Sequence, residues 1–255
     1  MSYNYCVQTD IGTTRDSNQD SAYANTVKTS IGNAFMGVVC DGMGGLSNGE
    51  LASVTVSELF QKWFINDFAR DIPPLNISDY IFGQWKTLID KANATLMEIS
   101  KRSGGQMGTT LSVLLIVNNE YYAAQVGDSR IYRRSNECVS QITCDHSYVM
   151  DQVKKGMMTE TEARLSSKRN ILTRCIGAVE AINGDFYNGT VQNGDCFLIS
   201  SDGFHGGASI YEIGEILEAL NSRKHNKVKK TLSNYIDLRK NAGEKDNITA
   251  VVVML

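Results

Sequence analysis

The feature that most restricts the fold is a set of strand-length apolar runs, two of which are separated by almost nothing. The runs are AFMGVVC (34–40), TTLSVLLIV (109–117), YYAAQVG (121–127), DCFLIS (195–200) and NITAVVVML (247–255). They are rich in β-branched residues and short enough to be buried strands. Between the second and third, VNNEYY reverses the chain around Asn118 and Asn119, a tight hairpin. Parallel neighbours need a crossover of a dozen residues or more, so these strands pair antiparallel and a doubly wound parallel sheet is excluded.

Helical patterns fill the gaps. Ala52, Val56, Leu59, Phe60 and Trp63 recur at helical spacing, as do Ile81, Trp85, Leu88, Ala92, Leu96 and Ile99, with IPPL (72–75) breaking the chain between them. A second pair is marked by Ile213, Ile216, Leu217 and Leu220, then by Val228, Leu232, Tyr235 and Ile236. Strands, two helices, strands, two helices and a last strand fit paired sheets with helices over their outer faces. Residues 147–170, SYVMDQVKKGMMTETEARLSSKRN, are polar and weakly periodic. They read as two short helices leaving the main body, a flap. No repeat or linker divides the chain, so one domain over 1–255 is expected.

Charge narrows the partners. With 25 basic and 28 acidic residues the net charge is -3, so no global positive field attracts nucleic acid or an anionic membrane. No apolar run approaches the ~20 residues of a membrane helix, and MSYNYCVQTD has neither the basic head nor the apolar core of a secretory signal. A cytoplasmic protein is expected. Six cysteines without CxxC spacing and three histidines without HExxH spacing read as small buried thiols rather than a zinc site.

The acidic residues are placed with a habit. Asp41 follows GVVC, Asp128 follows AAQVG, Asp202 follows CFLISS, Asp246 precedes NITAVVV, and Asp20 stands in RDSNQDS. In VVCDGMGG (38–45), Asp41 can be an ordinary Asp-Gly turn residue, or a ligand beside a backbone that Gly42 keeps bare. The set as a whole leaves the same choice. Either the aspartates cap separate turns, or they meet at one rim, where like charges require a cation. All-oxygen ligands select magnesium or manganese, and two such ions can orient and acidify a water for attack on phosphorus.

In chain order, TDIGTTRDSNQD (9–20), VVCDGMGGLSNGELAS (38–53), GTTLSVLLI (108–116), AAQVGDSRIYR (123–133), DHSYV (145–149), RNILTRCIGA (169–178), LISSDGFHG (198–206) and KDNITAVVV (245–253) resemble the metal-dependent serine/threonine protein phosphatases of type 2C, bacterial single-domain branch. The resemblance implies an α+β fold: a four-layer α-β-β-α sandwich, two antiparallel sheets flanked by helices, with a small flap subdomain. It implies hydrolysis of phosphoserine and phosphothreonine monoesters by a metal-activated hydroxide at a binuclear manganese or magnesium centre, without a phosphoenzyme. By the same resemblance Asp41 bridges two ions and Gly42 offers its carbonyl to one. Asp202 and Asp246 bind the second, with Asp20 close to it through water. Asp128 and Asp202 hold a third, weaker ion, and Arg15 binds the substrate phosphate. The implied partners are phosphorylated proteins, a serine/threonine kinase and its substrates, met by a monomer.

Three positions depart from family patterns. Met43 stands where animal relatives carry a histidine, Leu46 where bacterial relatives often have one, and Gln19 where animal relatives have glutamate. A thioether donates no proton, so Met43 cannot protonate a leaving group. His146 reads as a structural histidine at the flap base, Arg174 as structural support that pairs with an acidic neighbour or steadies the cleft, and Ser129 and Arg130 as binders of backbone at a strand end. The basic stretch RKHNKVKK (223–230) reads as a solvated helix face. Gly104, Gly105 and Gly108 lack the Lys-Ser/Thr of a phosphate loop. Two rivals are a non-catalytic phosphoprotein-binding module, which would be expected to have lost part of the aspartate set, and a two-metal phosphodiesterase or nuclease, which the absence of a basic surface disfavours.

Overall fold

The computed structural model describes residues 2–44, 47–220 and 224–255. Five strands form one antiparallel sheet in the order β1 (Asn4–Asp10), β11 (Ile248–Met254), β10 (Cys196–Ser200), β7 (Arg130–Ser135) and β8 (Cys138–Gln141). The second sheet runs β2 (Asp20–Thr29), β3 (Gly32–Gly44), β5 (Leu111–Val117), β6 (Glu120–Val126) and β9 (Asp185–Thr190), with β4 (Met107–Thr109) paired to the end of β3.

Alternation along each central strand builds three packed layers of side chains. Phe35 and Val39 of β3, Leu114 and Ile116 of β5, Phe197 and Ile199 of β10, and Val251 and Val253 of β11 fill the space between the sheets. Their neighbours Met36, Val38 and Cys40, with Val113 and Leu115, face α1 (Ser47–Lys62) and α3 (Ile77–Ser103). On the opposite face Cys196, Leu198, Ala250 and Val252 pack on α7 (Ile210–Leu220) and α8 (His225–Asn241). Strands covered on both faces are apolar at nearly every position, which is why they read as almost unbroken runs. Each large side chain so buried contributes about 1.5–3 kcal/mol.

Most positions of the expected helical stripes are buried, but Leu59, Leu88, Ile99 and Tyr235 only pack against the core, and Ile89 lies in it. After Lys62 the helix widens into a π-helical segment, Trp63–Phe68, which turns Trp63, Phe64 and Phe68 all into the core before a last turn, α2 (Ala69–Asp71). Asn118 and Asn119 both adopt positive φ, 51° and 60°, as a two-residue hairpin of type I′ requires. The flap contains α4 (Tyr148–Lys154) and α5 (Glu160–Leu165), and α6 is the short turn Asp202–His205. The α5 helix starts with a reciprocal capping box between Thr159 and Glu162. No helix among the described residues is long and apolar enough to cross a membrane.

Candidate metal centre

Antiparallel pairing brings the strand ends together. Asp20 opens β2 directly opposite Asp41 near the end of β3. The β3–β5 and β5–β6 registers place Thr110 and the Gly127–Asp128 turn at that same end. In the other sheet, Ser200 pairs with Ala250, so Asp202 just after β10 and Asp246 just before β11 share one edge. The two edges face each other. Ser201 Oγ donates to Asp20 Oδ2 across the sandwich at 2.8 Å, and the side chains of Asp41 and Asp202 are within hydrogen-bonding reach. The five aspartates therefore converge, and the reading in which each caps a separate turn is excluded.

Electrostatics records the crowding. Burial and then the charges of Asp20, Asp202, Asp128 and Asp246 hold the Asp41 carboxyl well above the usual carboxylate range. Burial, followed by Asp202 and Asp145, does the same to Asp128. Burial pushes Asp20 up to about 7, opposed by hydrogen bonds from Thr249 and Ser201. Asp202 rises to about 6 through burial, Asp246 and Glu244. These are the marks of buried carboxylates crowded together.

The backbone around Asp41 is fixed by hydroxyls. Its N–H donates to Thr110 Oγ1 at 2.9 Å, and its carbonyl accepts from Thr110 N and Thr109 Oγ1, both at 2.9 Å. Thr110 Oγ1 meets Ser129 Oγ at 2.8 Å, linking the Asp41 strand to the turn carrying Asp128. Across the cleft, Ser201 Oγ accepts from Thr249 N at 3.0 Å. These hydroxyl residues were missed as site residues, although Ser129 and Ser201 each adjoin an aspartate in VGDSR and LISSD. Gly42 N donates to Gln19 O at 3.1 Å. A Cβ at Gly42 would lie 2.1 Å from the Gly49 carbonyl and 2.6 Å from that of Gln19, so the bare backbone is a packing necessity.

Arg15 lies against Asp246: its Nε and Nη2 donate to Oδ1 and Oδ2 at 2.9 and 2.7 Å. Two expectations are corrected. Arg130 binds the side chains of Asp145 and Tyr132 rather than backbone, because burial at the cleft wall demands a charged partner. Ser129 uses its hydroxyl on Thr110 and its carbonyl on Ser112 and Gln125. His146 is buried at the flap base as read. Burial lowers its pKa, so the ring is neutral at pH 7. Its Nδ1 accepts from Gly127 N at 3.2 Å, which leaves the Nε2–H for Asp185 Oδ2, also at 3.2 Å. Arg174 pairs with the same Asp185 at 2.8 Å. Lys227, Lys229 and Lys230 are exposed on α8; Leu46 and Arg223 lie outside the described residues.

The donor set fits divalent cations. Asp202 Oδ1 is buried with no hydrogen-bond partner among the described residues, an orphan acceptor of the kind an ion satisfies. Every candidate ligand is a hard oxygen. Among the described residues no three Asp, Glu, His or Cys side chains already close into an ion cage, and hydrated magnesium-type ions require none, since one or two carboxylates and several waters suffice. From Asp128, Asp202 and Asp246 a cleft of about 590 Å³ runs between Val149, Met150 and Ala163 of the flap and Ile210 of α7.

The chain as a whole is similar to known proteins. A family model described as Protein phosphatase 2C matches residues 13–249. The chain is 32% identical over 248 residues to protein phosphatase PhpP of Streptococcus pneumoniae, covering 97% of this chain and 95% of that one. The serine/threonine phosphatase of S. agalactiae superposes with a TM-score of 0.82 at 30% identity, over 100% of both chains. The catalytic domain of the serine/threonine protein phosphatase PstP, solved in complex with two manganese ions, gives 0.79 at 26% identity over 99% of this chain and 97% of that one.

Proposed function

The chain belongs to the protein phosphatase 2C family and is a serine/threonine protein phosphatase; we propose that its five converging aspartates form the binuclear manganese or magnesium centre at which phosphoserine and phosphothreonine monoesters are hydrolysed. In this reading Asp41 and the Gly42 carbonyl hold the ions together with Asp202 and Asp246. Asp20 acts from alongside, and Asp128 with Asp202 provides a weaker third position. When bound, such ions supply Lewis-acid polarisation of phosphoryl oxygens and acidify water.

The remaining work falls to the chain itself. The apolar β3 and its threonine anchors hold Asp41 rigidly, so its carboxylate does not reorganise as charge develops at phosphorus. Arg15 offers a planar fork that matches two phosphate oxygens at once. In a protein of net negative charge it is the cation best placed to attract a phosphate dianion. No nucleophilic side chain is needed, so no phosphoenzyme forms. Residues 147–170 overhang the cleft and shape which phosphoproteins enter. The chain acts as one catalytic unit, a monomer in the cytoplasm, reversing the products of a serine/threonine kinase.

The observation that carries this reading is the meeting of five carboxylates from five separate segments around an orphaned Asp202 oxygen. Phosphate release from a phosphothreonine peptide should require added manganese and stop with EDTA. Metal-independent release at the same rate overturns the assignment.

A further inference from the structure

The phosphate-binding role given to Arg15 conflicts with where its guanidinium lies. Both Asp246 oxygens accept from it, and Oδ1 also accepts from Asn247 N at 2.9 Å. An Asp246 so occupied has both Oδ1 acceptor sites and one of the two on Oδ2 filled, which weakens it as an ion ligand, and an Arg15 so occupied cannot fork a phosphate. Burial of one side of the guanidinium does not loosen the pair, because the hydrogen bonds to Asp246, the same charge, and those of Asp41 and Asp202 all favour its protonated form.

The loops carrying the two residues are stitched together. Thr13 Oγ1 donates to Glu244 O at 2.9 Å and Thr14 Oγ1 to Lys245 O at 2.8 Å. Asn247 Nδ2 donates to the carbonyls of Ile11 and Ser17 at 2.9 and 3.2 Å. Gly12, at φ 79°, passes so close that a Cβ there would stand 2.2 Å from Asp246 O. The two backbones therefore stay in register, and only the Arg15 side chain can move. It has room: it is 49% exposed and lines a cavity of about 680 Å³ with Thr14, Arg169, Lys245 and Asp246.

We propose that the Arg15 fork is an internal counter-ion that competes with the divalent ion for Asp246, and that metal entry frees the guanidinium for the substrate phosphate. This rests on Asp246 being a metal ligand, as assigned above. The exchange balances charge: one cation leaves a carboxylate as another arrives, and the released fork points into the open cavity beside the centre. Metal loading then precedes phosphate capture.

Manganese affinity of the full chain, stripped of metal and titrated by calorimetry, tests this without reference to turnover. Arg15→Gln and Arg15→Lys should both bind manganese about 2- to 5-fold more tightly than wild type, the upper part of the range of a partly exposed charge pair. The Lys variant keeps the positive charge but loses the fork. Lys245→Gln, which removes a neighbouring cation that makes no ion pair among the described residues, should change affinity less than 2-fold. Tightening in Arg15→Gln and Lys245→Gln but not in Arg15→Lys overturns the proposal in favour of general electrostatics, and no tightening in either Arg15 variant overturns it outright. If wild type binds no manganese, the metal centre itself is lost and the inference with it. As a direct readout, the Arg15 Nε–H resonance, identified by its absence in Arg15→Lys, should shift when diamagnetic magnesium is added. An unmoved resonance in a magnesium-loaded protein contradicts the exchange.

Discussion

Stripping the metal and raising the pH should destabilise this protein, the reverse of what isolated surface carboxylates do. Asp20 titrates near about 7 and Asp202 near about 6, against 3.8 when unperturbed. The folded chain therefore binds protons more tightly than the unfolded chain. The stability tied to those protons is complete below about pH 4 and is lost as pH rises through 6 and 7. The two carboxyls are raised by about 3 and about 2 pH units, each unit being equivalent to about 1.4 kcal/mol. Between pH 5 and pH 8 the full conversion amounts to about 4 kcal/mol; the two titrate as a coupled set, and water in the cleft screens them, so roughly half of that, about 2 kcal/mol, is the expected loss. For a chain of this size that corresponds to a fall in Tm of about 4–8 °C. Scanning calorimetry in EDTA between pH 5 and pH 8 measures it directly. Saturating manganese should abolish the fall by holding the carboxylates ionised, so the metal-induced rise in Tm should be much larger at pH 8 than at pH 5. Asp20→Asn should make the metal-free protein more stable than wild type at pH 8. A metal-free Tm that is flat or climbs from pH 5 to 8, or a metal-induced shift equal at both ends, refutes the reasoning.

Asp41→Asn and Asp202→Asn should stay folded by circular dichroism yet lose at least about 100-fold in manganese-dependent phosphopeptide turnover, since both serve the ions rather than the core. Gly42→Ala forces a methyl to within 2.1 Å of the Gly49 carbonyl; urea unfolding should show a loss of about 3 kcal/mol, and calorimetry a loss of manganese affinity. Asn93, buried in α3, donates to Val179 O at 2.8 Å and accepts from Gly177 N at 2.7 Å. Asn93→Ala should cost about 1–3 kcal/mol in the same unfolding assay while leaving manganese affinity unchanged, because it breaks a loop anchor remote from the ligands.

What could be read in advance follows burial. The five runs that became β3, β5, β6, β10 and β11 are covered on both faces, and a strand covered on both sides has few polar positions to disguise it. The strands not picked out by apolar content are β1, β2, β4, β7, β8 and β9. Four of them, β1, β8, β2 and β9, are sheet edges, where half the side chains meet water and sequences such as DFYNGT and CVSQ show no apolar run. Trp63 was legible as a core residue but the π-helical widening around it was not, because an extra residue per turn is a backbone adjustment that the side-chain spacing barely signals.

The aspartates were legible one by one, and their motif order carried the family resemblance, but convergence depended on registers that only the fold supplies: Asp20 opposite Asp41, and Ser200 opposite Ala250. Of the hydroxyl shell, Thr109, Thr110, Ser201 and Thr249 escaped notice and Ser129 was read only as a backbone binder, because small hydroxyl residues near strand ends are common turn chemistry. The position of Arg15 on Asp246 could not have been foreseen, since it arises from loops 231 residues apart laid side by side.

Anomalous diffraction at the manganese edge, from crystals grown with the metal, bears most directly on the aspartate cluster. The strongest peaks should lie in the cleft between Asp41, Asp202 and Asp246, two of them sharing Asp41. Peaks confined to surface carboxylates, with this cleft empty at saturating manganese, would contradict the account.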